Sequence, residues 1–270
     1  MSGATAPAIP SAGRPAKPRR MWGTWVLVAL AIAVTIAAAD FIGFDLAPLF
    51  TDTGRGWFII QQFLQPNWAF LARTVDPWLD TLAIAILASL AGCLLALIAS
   101  MLASPVTARS PWVYRTAKAV LAALRSLPDV AWALLFVAFV GIGTLAGILA
   151  LIMFNLGIVA KLTAETIDAV EPGPLEAADA AGADTVQRAR VAVIPQILPN
   201  YFSYAMYAFE LNVRASVVIG LVGAGGIGSV IFVELARFNY ANLSALVVAL
   251  FVVVFVIDSA SRFVRKRLIG

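Results

Sequence analysis

Six apolar stretches, 22–39, 78–102, 119–140, 145–162, 197–222 and 241–260, follow one another along the chain, separated by shorter polar segments. Each approaches or exceeds the roughly 20 residues that a helix needs to cross a hydrocarbon core. The pattern predicts an all-α, polytopic membrane protein with about six transmembrane helices. Segment 57–64 is aromatic-rich but too short to span, and Pro48, Pro66 and Pro77 interrupt the region around it, so 40–77 reads as an interfacial loop. The glycines of Gly141, Ile142, Gly143 and Thr144 make a tight connection between the third and fourth spans, and Pro128 predicts a kink in the third near Arg125 and Ser126.

Composition agrees with lipid as the solvent. The chain is 61% hydrophobic and 13% charged, against roughly 45–50% and about 25% for soluble domains. Its 270 residues are almost used up by the apolar runs, so we expect one membrane domain and no sizeable soluble one. The divisions are a basic, Pro-, Ala- and Ser-rich tail over 1–20, a first span with an external loop over 21–77, and a membrane core over 78–267. The first apolar run is longer than the roughly 7–15 residues of a signal-peptide core, which favours a retained helix. There is no histidine and one cysteine, Cys93, inside an apolar run. A disulfide, a multi-cysteine metal site and a Ser-His or Cys-His dyad are therefore excluded, and Cys93 reads as a small packing residue. The net charge of +4 does not imply nucleic acid.

The location of the basic residues says more than their sum. With the N-terminus in the cytoplasm, Arg14, Lys17, Arg19 and Arg20 lie inside, as do Arg109, Arg115, Lys118 and Arg125, then Lys161, Arg188 and Arg190, and finally Arg262, Arg265, Lys266 and Arg267. Only Arg55, Arg73 and Arg237 fall outside, and Arg214 lies within a span. The positive-inside rule therefore places both termini in the cytoplasm.

Between the fourth and fifth spans, 164–190 is too polar for lipid and too long for a simple turn. Pro174 suits a first helical turn, Glu176 the positive end of the helix dipole, and Gly182 the stop. A short helix of about 172–184 is expected along the membrane surface. Its small residues, among them Ala177 and Ala178, let a partner approach closely.

These residues carry a resemblance. Glu176, Ala177 and Ala178, then three residues, Gly182, nine residues and a run ending in Ile194 and Pro195 resemble the EAA motif, E-A-A-x3-G-x9-I-x-L-P, of ABC importer permeases. Ala192 stands where that pattern has Ile and Ile194 where it has Leu, both apolar changes. Arg125-Ser126-Leu127-Pro128, Lys161, the run from Pro195 to Pro199, the run from Phe209 to Arg214 and the glycine-rich run from Leu221 to Gly228 are similar to permeases of phosphonate importers; the likeness covers roughly 78–267. It implies a type I ABC importer permease fold with a cytoplasmic coupling helix that sits in a cleft of an ATPase, with Glu176, Ala177, Ala178, Gly182, Arg188 and Pro195 as coupling residues. It further implies a second permease subunit, two ATPase subunits and an external solute-binding protein, in a bacterial cytoplasmic membrane. The implied cargo is a phosphonate, phosphate or phosphite-like oxyanion. Arg188 also fits a plain topology determinant.

No Walker A pattern occurs, so ATP and Mg belong to the partner and this chain is a transporter subunit, not an enzyme. Gly223, Gly225 and Gly228 match G-x-G-x-x-G, but an apolar helix precedes them rather than a strand, so with Gly226 they read as an external gate turn that needs glycine's backbone freedom. The candidate translocation path comprises Arg125, Ser126, Glu210, Asn212 and Arg214. An arginine at mid-span costs roughly 2.5–3.5 kcal/mol on insertion scales, so it faces a partner or a wet cavity. Glu210 and Arg214, four residues apart, fit either an ion pair that holds the helix or an anion-binding arginine tempered by a carboxylate. The intramembrane charges Glu210, Arg214 and Asp258 also keep open an ion-coupled secondary transporter or channel.

Overall fold

The computed structural model describes residues 22–51 and 53–269, which contain α-helices, one π-helical segment and no strand. The 1–20 tail and the N-terminus lie outside the described residues. The chain divides into two units, 1–56 and 57–270. In the first, α1 (Trp22–Phe41) is apolar all round with no buried residue, the surface of a helix meant for lipid. It is followed by α2 (Ala47–Thr51) and the start of α3 (Thr53–Phe63), so the short aromatic run 57–64 is helical rather than a loop.

The second unit holds α4 (Trp68–Leu71), α5 (Val75–Leu102), α6 (Pro111–Ser126), α7 (Asp129–Val140), α8 (Thr144–Asp168), α9 (Pro172–Ala180), α10 (Thr185–Arg188), α11 (Ile194–Gly220), α12 (Ile227–Ala236) and α13 (Tyr240–Ile269). At its centre α5 packs on α8 through small residues, with Ala88, Gly92 and Ala96 on one side and Ala150 and Ala160 on the other. Lipid tails are as apolar as leucine, so no hydrophobic force drives helices together there, and close backbone approach has to supply the contact. A Cβ on Gly92 would lie 2.7 Å from Asn155 Cβ, and Asn155, fully buried, donates from Nδ2 to Ala88 O at 3.0 Å. Cys93 is buried with Ala96, Val159 and Ala160, the packing role its surroundings suggested.

α1, α5, α8 and α13 are each long and apolar enough to cross a membrane. The third expected span is a pair of helices, α6 and α7, meeting at 89° instead of one kinked rod. Pro128 forces Leu127 out of the helical region, to ψ 131, and becomes the N-cap of α7. Trp132 Nε1 donates to Leu124 O at 3.3 Å, satisfying one carbonyl that the break frees. The fifth expected span, α11, has the length, about 40 Å at 1.5 Å per residue, but is too polar to count as an apolar span. It tolerates its polar residues because α5, α7, α8, α12 and α13 surround it.

Two stretches escaped the sequence pattern. The fifth helix begins earlier than residue 197: α10 runs through a π-helical turn (Ala189–Val193) directly into α11. Pro195 explains the turn, since its ring collides with the carbonyl of Val191 four residues back and it has no N–H to offer. Widening to π geometry relieves this, with Ile194 N–H bonding to Ala189 O. Likewise 227–236, expected as part of an external segment, forms the apolar helix α12.

Replacing Gly92 with Val should destabilise the protein by about 1–3 kcal/mol through overpacking. The thermal midpoint of the purified full chain in detergent should fall accordingly; an unchanged midpoint would mean that α5 and α8 are not seated this closely.

Candidate functional site

At one end of the core, α9 is built as the sequence suggests. Pro172 occupies the first turn, where its missing N–H costs nothing. The helix closes with Gly182 N–H on Asp179 O at 3.0 Å and Ala183 N–H on Ala178 O at 3.0 Å, a Schellman ending with Gly182 at φ +79. A Cβ at Gly182 would meet nothing within 4 Å, so glycine is required there by the backbone and not by a crowded turn. Leu175 and the buried Ala178 turn inward, Leu175 against Ile167, Val193 and Ile197, while Glu176, Ala177, Ala180 and Ala181 are exposed. One face of α9 is thus anchored and the other, small and acidic at its start, is open to a partner.

Three tethers hold this end. Arg188 Nη2 donates to Val106 O at 2.7 Å, and its Nη1 pairs with Asp179 at 3.3 Å, joining α9 to the loop after α5. Ser104 Oγ donates to Asp168 at 2.5 Å, fixing the same loop to the end of α8. Gln196 Oε1 accepts Glu171 N–H at 2.9 Å, tying the start of α9 to α11. Asp184 and Gln187 form a capping box that starts α10. Arg188 therefore braces the site from inside the chain. Pro195 is exposed beside it.

The candidate path residues separate into two groups. Arg125 and Ser126 sit at the break between α6 and α7, both exposed, the arginine's stem packed where a Cβ on Gly157 would come within 2.7 Å. Unwound backbone inside a membrane protein is tolerated where it is buried in protein or lines a wet cavity. On α11, Asn212 is fully buried and donates to Ser89 Oγ at 2.7 Å, so in this conformation it joins α11 to α5 and faces no open surface. Glu210 is buried, paired with Arg214 on one oxygen and with Arg265 Nη2 at 3.4 Å on the other. Arg265 was counted only as a topology determinant. Side chains on a helix lean toward its N-terminus, and from α13 that direction carries Arg265 back toward Glu210. A buried carboxylate in need of a second cation was the one available signal.

Arg214 itself is 48% exposed. The exposed residues of α11 form two faces: Asn200, Tyr207, Arg214 and Val218, with half-buried Ser203 among them, recur at helical spacing on one, and Leu198 and Phe202 lie on the other. At the far end of α11 the glycine run turns with positive φ at Gly223, Gly225 and Gly226. Gly143 N–H bonds to Gly223 O, and Ile227 N–H to Thr81 Oγ1 at 2.7 Å. A Cβ on Gly228 would lie 2.0 Å from Val217 O, so α12 folds back against α11 at backbone contact.

A bundle of apolar helices with a polar central helix, a broken helix pair and an anchored surface helix is the make-up of a membrane permease. Residues 92–270 match the family of binding-protein-dependent transport system inner membrane components. The phosphite transport system permease protein PtxC of Stutzerimonas stutzeri is 34% identical over 91% of this chain and 90% of its own. The phosphate-import permease protein PhnE of Mycolicibacterium smegmatis is 33% identical over 88% of this chain and 45% of its own. Among solved structures, the inward-facing MetNI methionine ABC transporter matches with a TM-score of 0.66 at 23% identity, over 74% of this chain and 98% of that one, and shares the fold. The chain belongs to the binding-protein-dependent inner membrane component family: it is a multi-pass inner-membrane permease subunit of an ABC importer, and ATP hydrolysis belongs to a separate subunit.

Removing the guanidinium in Arg188→Ala should free the loop after α5 from α9. Amide exchange over 103–110 and 179–183 should speed up about tenfold, the loss of one charge-assisted bond; unchanged exchange would show that the tether carries no weight.

Proposed function

We propose that this permease passes a phosphorus oxyanion, of the phosphonate, phosphite or phosphate class, along the open face of α11, with α9 seated in the ATPase as the coupling helix. The observation that carries the path is the polar stripe of Asn200, Ser203, Tyr207 and Arg214 on an open face of α11, whose second exposed face, Leu198 and Phe202 near its start, is apolar and suits lipid. A polar stripe with an arginine does not face lipid, so it faces water or a second permease subunit of the same or a related kind. Arg214 offers charge and forked donors to an oxyanion, and the relatives carrying phosphite and phosphate in their names support that class. The exposed Arg125 and Ser126 at the helix break extend the same path. The glycine turn at 223–228 serves as the gate on the opposite end from α9.

Glu176 and Ala177 with Gly182 form the face presented to the ATPase, while Ala178, buried on the inner face, and Arg188 and Pro195 shape its support. ATP and Mg stay on that partner, and an external binding protein delivers the cargo. Membership of the importer family favours this reading over an ion-coupled transporter.

ATP-dependent uptake of phosphite, phosphate and methylphosphonate by the chain reconstituted with its ATPase and binding protein tests the assignment. Glu176→Lys should abolish uptake while membrane insertion persists. Arg214→Ala leaves Glu210 its second partner, Arg265, so the variant should assemble and stimulate ATP hydrolysis, yet lose about tenfold or more in uptake, the worth of one hydrogen bond to a charged group. Full uptake by that variant would remove Arg214 from the path, and full uptake by Glu176→Lys would remove α9 from coupling.

The positive-inside count supports cytoplasmic termini and a cytoplasmic Glu176, with Gly54 and Asn239 outside. Single cysteines at 54 and 239 should react with an impermeant maleimide in intact cells and one at 176 should not; the reverse labelling overturns the orientation.

A further inference from the structure

One large cavity of the core belongs to neither the path nor the exposed face of α9. It is a groove of about 740 Å³ at the α9 end, between the end of α5, the start of α6 and the α10–π–α11 run. Met101, Leu102, Val113, Val186, Ala189 and Ile194 make its walls apolar. Its one threonine from the α5 side, Thr107, spends its hydroxyl on Met101 O at 2.6 Å. Two cations, Arg109 and Arg190, lie at the groove, both exposed and neither with an ion pair or hydrogen bond among the described residues. Leu102 ends an apolar span and Ile194 begins α11, so the groove lies at the depth where hydrocarbon gives way to water. Trp112, next to Val113 and 78% exposed, is the residue type that settles at that boundary.

We propose that this groove binds an anionic phospholipid of the leaflet on the α9 side, acyl chain along the apolar wall and phosphate on Arg109 and Arg190. A soluble anion gains nothing from the apolar wall, and a neutral lipid leaves both guanidinium groups unanswered; a molecule with an acidic head and a hydrocarbon tail satisfies both halves. Basic pockets between transmembrane helices at the cytoplasmic boundary are suited to such headgroups. The bound lipid bridges the loop after α5 and the α10–π run, the segments that Arg188 already ties together from the other side through Val106 and Asp179. The lipid is therefore a second brace on the support of α9.

The test is native mass spectrometry of the purified full chain, alone and assembled with its ATPase, in detergent containing equal amounts of phosphatidylglycerol and phosphatidylcholine. The wild type should retain phosphatidylglycerol in preference, in both forms. Each arginine near an acidic headgroup is worth about fivefold, so Arg109→Ala with Arg190→Ala should reduce phosphatidylglycerol retention about 30-fold and leave phosphatidylcholine unchanged. Ala189→Trp, which fills the groove, should reduce retention of both lipids, and glycerol 3-phosphate should fail to displace the bound lipid. Equal retention of the two lipids by the wild type overturns the proposal even if the double variant does not fold. So does undiminished phosphatidylglycerol on the double variant or on Ala189→Trp. Displacement by glycerol 3-phosphate would reduce the groove to an anion site, and loss of lipid on assembly would make it an ATPase surface; either result also overturns the proposal.

Discussion

The closeness of α5 and α8 is the constraint on which the rest depends. In lipid, two helices gain nothing by hiding apolar side chains from water, so the pair holds by backbone proximity and by a few buried polar groups. Gly92, Ala88 and Ala85 give α5 a surface shallow enough for Asn155 of α8 to reach the Ala88 carbonyl. The next residue of α5, Ser89, accepts from Asn212 of α11. α5 thus receives two buried asparagines on neighbouring residues, one from α8 and one from α11, and α11 is fixed to the bundle's centre by the second. Once seated there, α11 keeps a polar face open, and the polarity of that face follows from its not having to meet lipid. The glycine turn obeys the same rule at the far end, where Gly220 and Gly228 bring α11 and α12 to a separation that no side chain permits.

At the other end the demand is reversed: α9 has to stay in place while standing outside the bundle. A nine-residue helix is too short to be stable alone. Its inner face contributes little more than Leu175 and Ala178, so polar tethers take over: Arg188 to Asp179 and Val106, Gln196 to Glu171, Asp168 to Ser104. Each joins α9 or its neighbours to a different long helix. In the coupling role proposed for α9, a push on its exposed face would be distributed to α5, α8 and α11 together. The π turn at Ala189–Val193 lies on this route, and since Pro195 prevents regular α-helical bonding there, the route passes through a point of weakened helix.

Much of this was legible in the sequence because the signals were local and periodic. Long apolar runs announced α1, α5, α8 and α13, and Pro174, Glu176 and Gly182 announced a short helix with its stop, which the structure starts two residues earlier at Pro172. The elements that escaped depend on contacts that period and propensity do not carry. Pro128 signalled a kink, but the 89° turn reflects what α6 and α7 pack against: α6 lays Arg115, Lys118 and Arg125 on a surface too polar for lipid, while α7 is apolar after Asp129. α12 was hidden because a ten-residue, mostly apolar stretch after a glycine run is too short to register as a span. The site was read with the same bias. Glu210 and Arg214 stood out as neighbours on one helix, whereas Arg265, 55 residues away, is brought to Glu210 only by the antiparallel packing of α13.

That third charge changes what Arg214 is free to do. A carboxylate with a single guanidinium four residues on makes a closed pair, and an anion entering the path would have to compete with Glu210 for the whole of the arginine's charge. With Arg265 on its second oxygen, Glu210 divides its one negative charge between two cations. The trio carries a net positive charge, and its exposed member is Arg214, not Arg265, whose side chain is 23% exposed against 48% for Arg214. The surplus is therefore presented on the open face of α11, held in place by a buried carboxylate that also limits its strength. In the anion path proposed above, the cargo has to be attracted strongly enough to leave water and weakly enough to be released on the far side. A guanidinium half-neutralised from behind meets both demands, and the half that remains is set by how closely α13 holds Arg265 to Glu210.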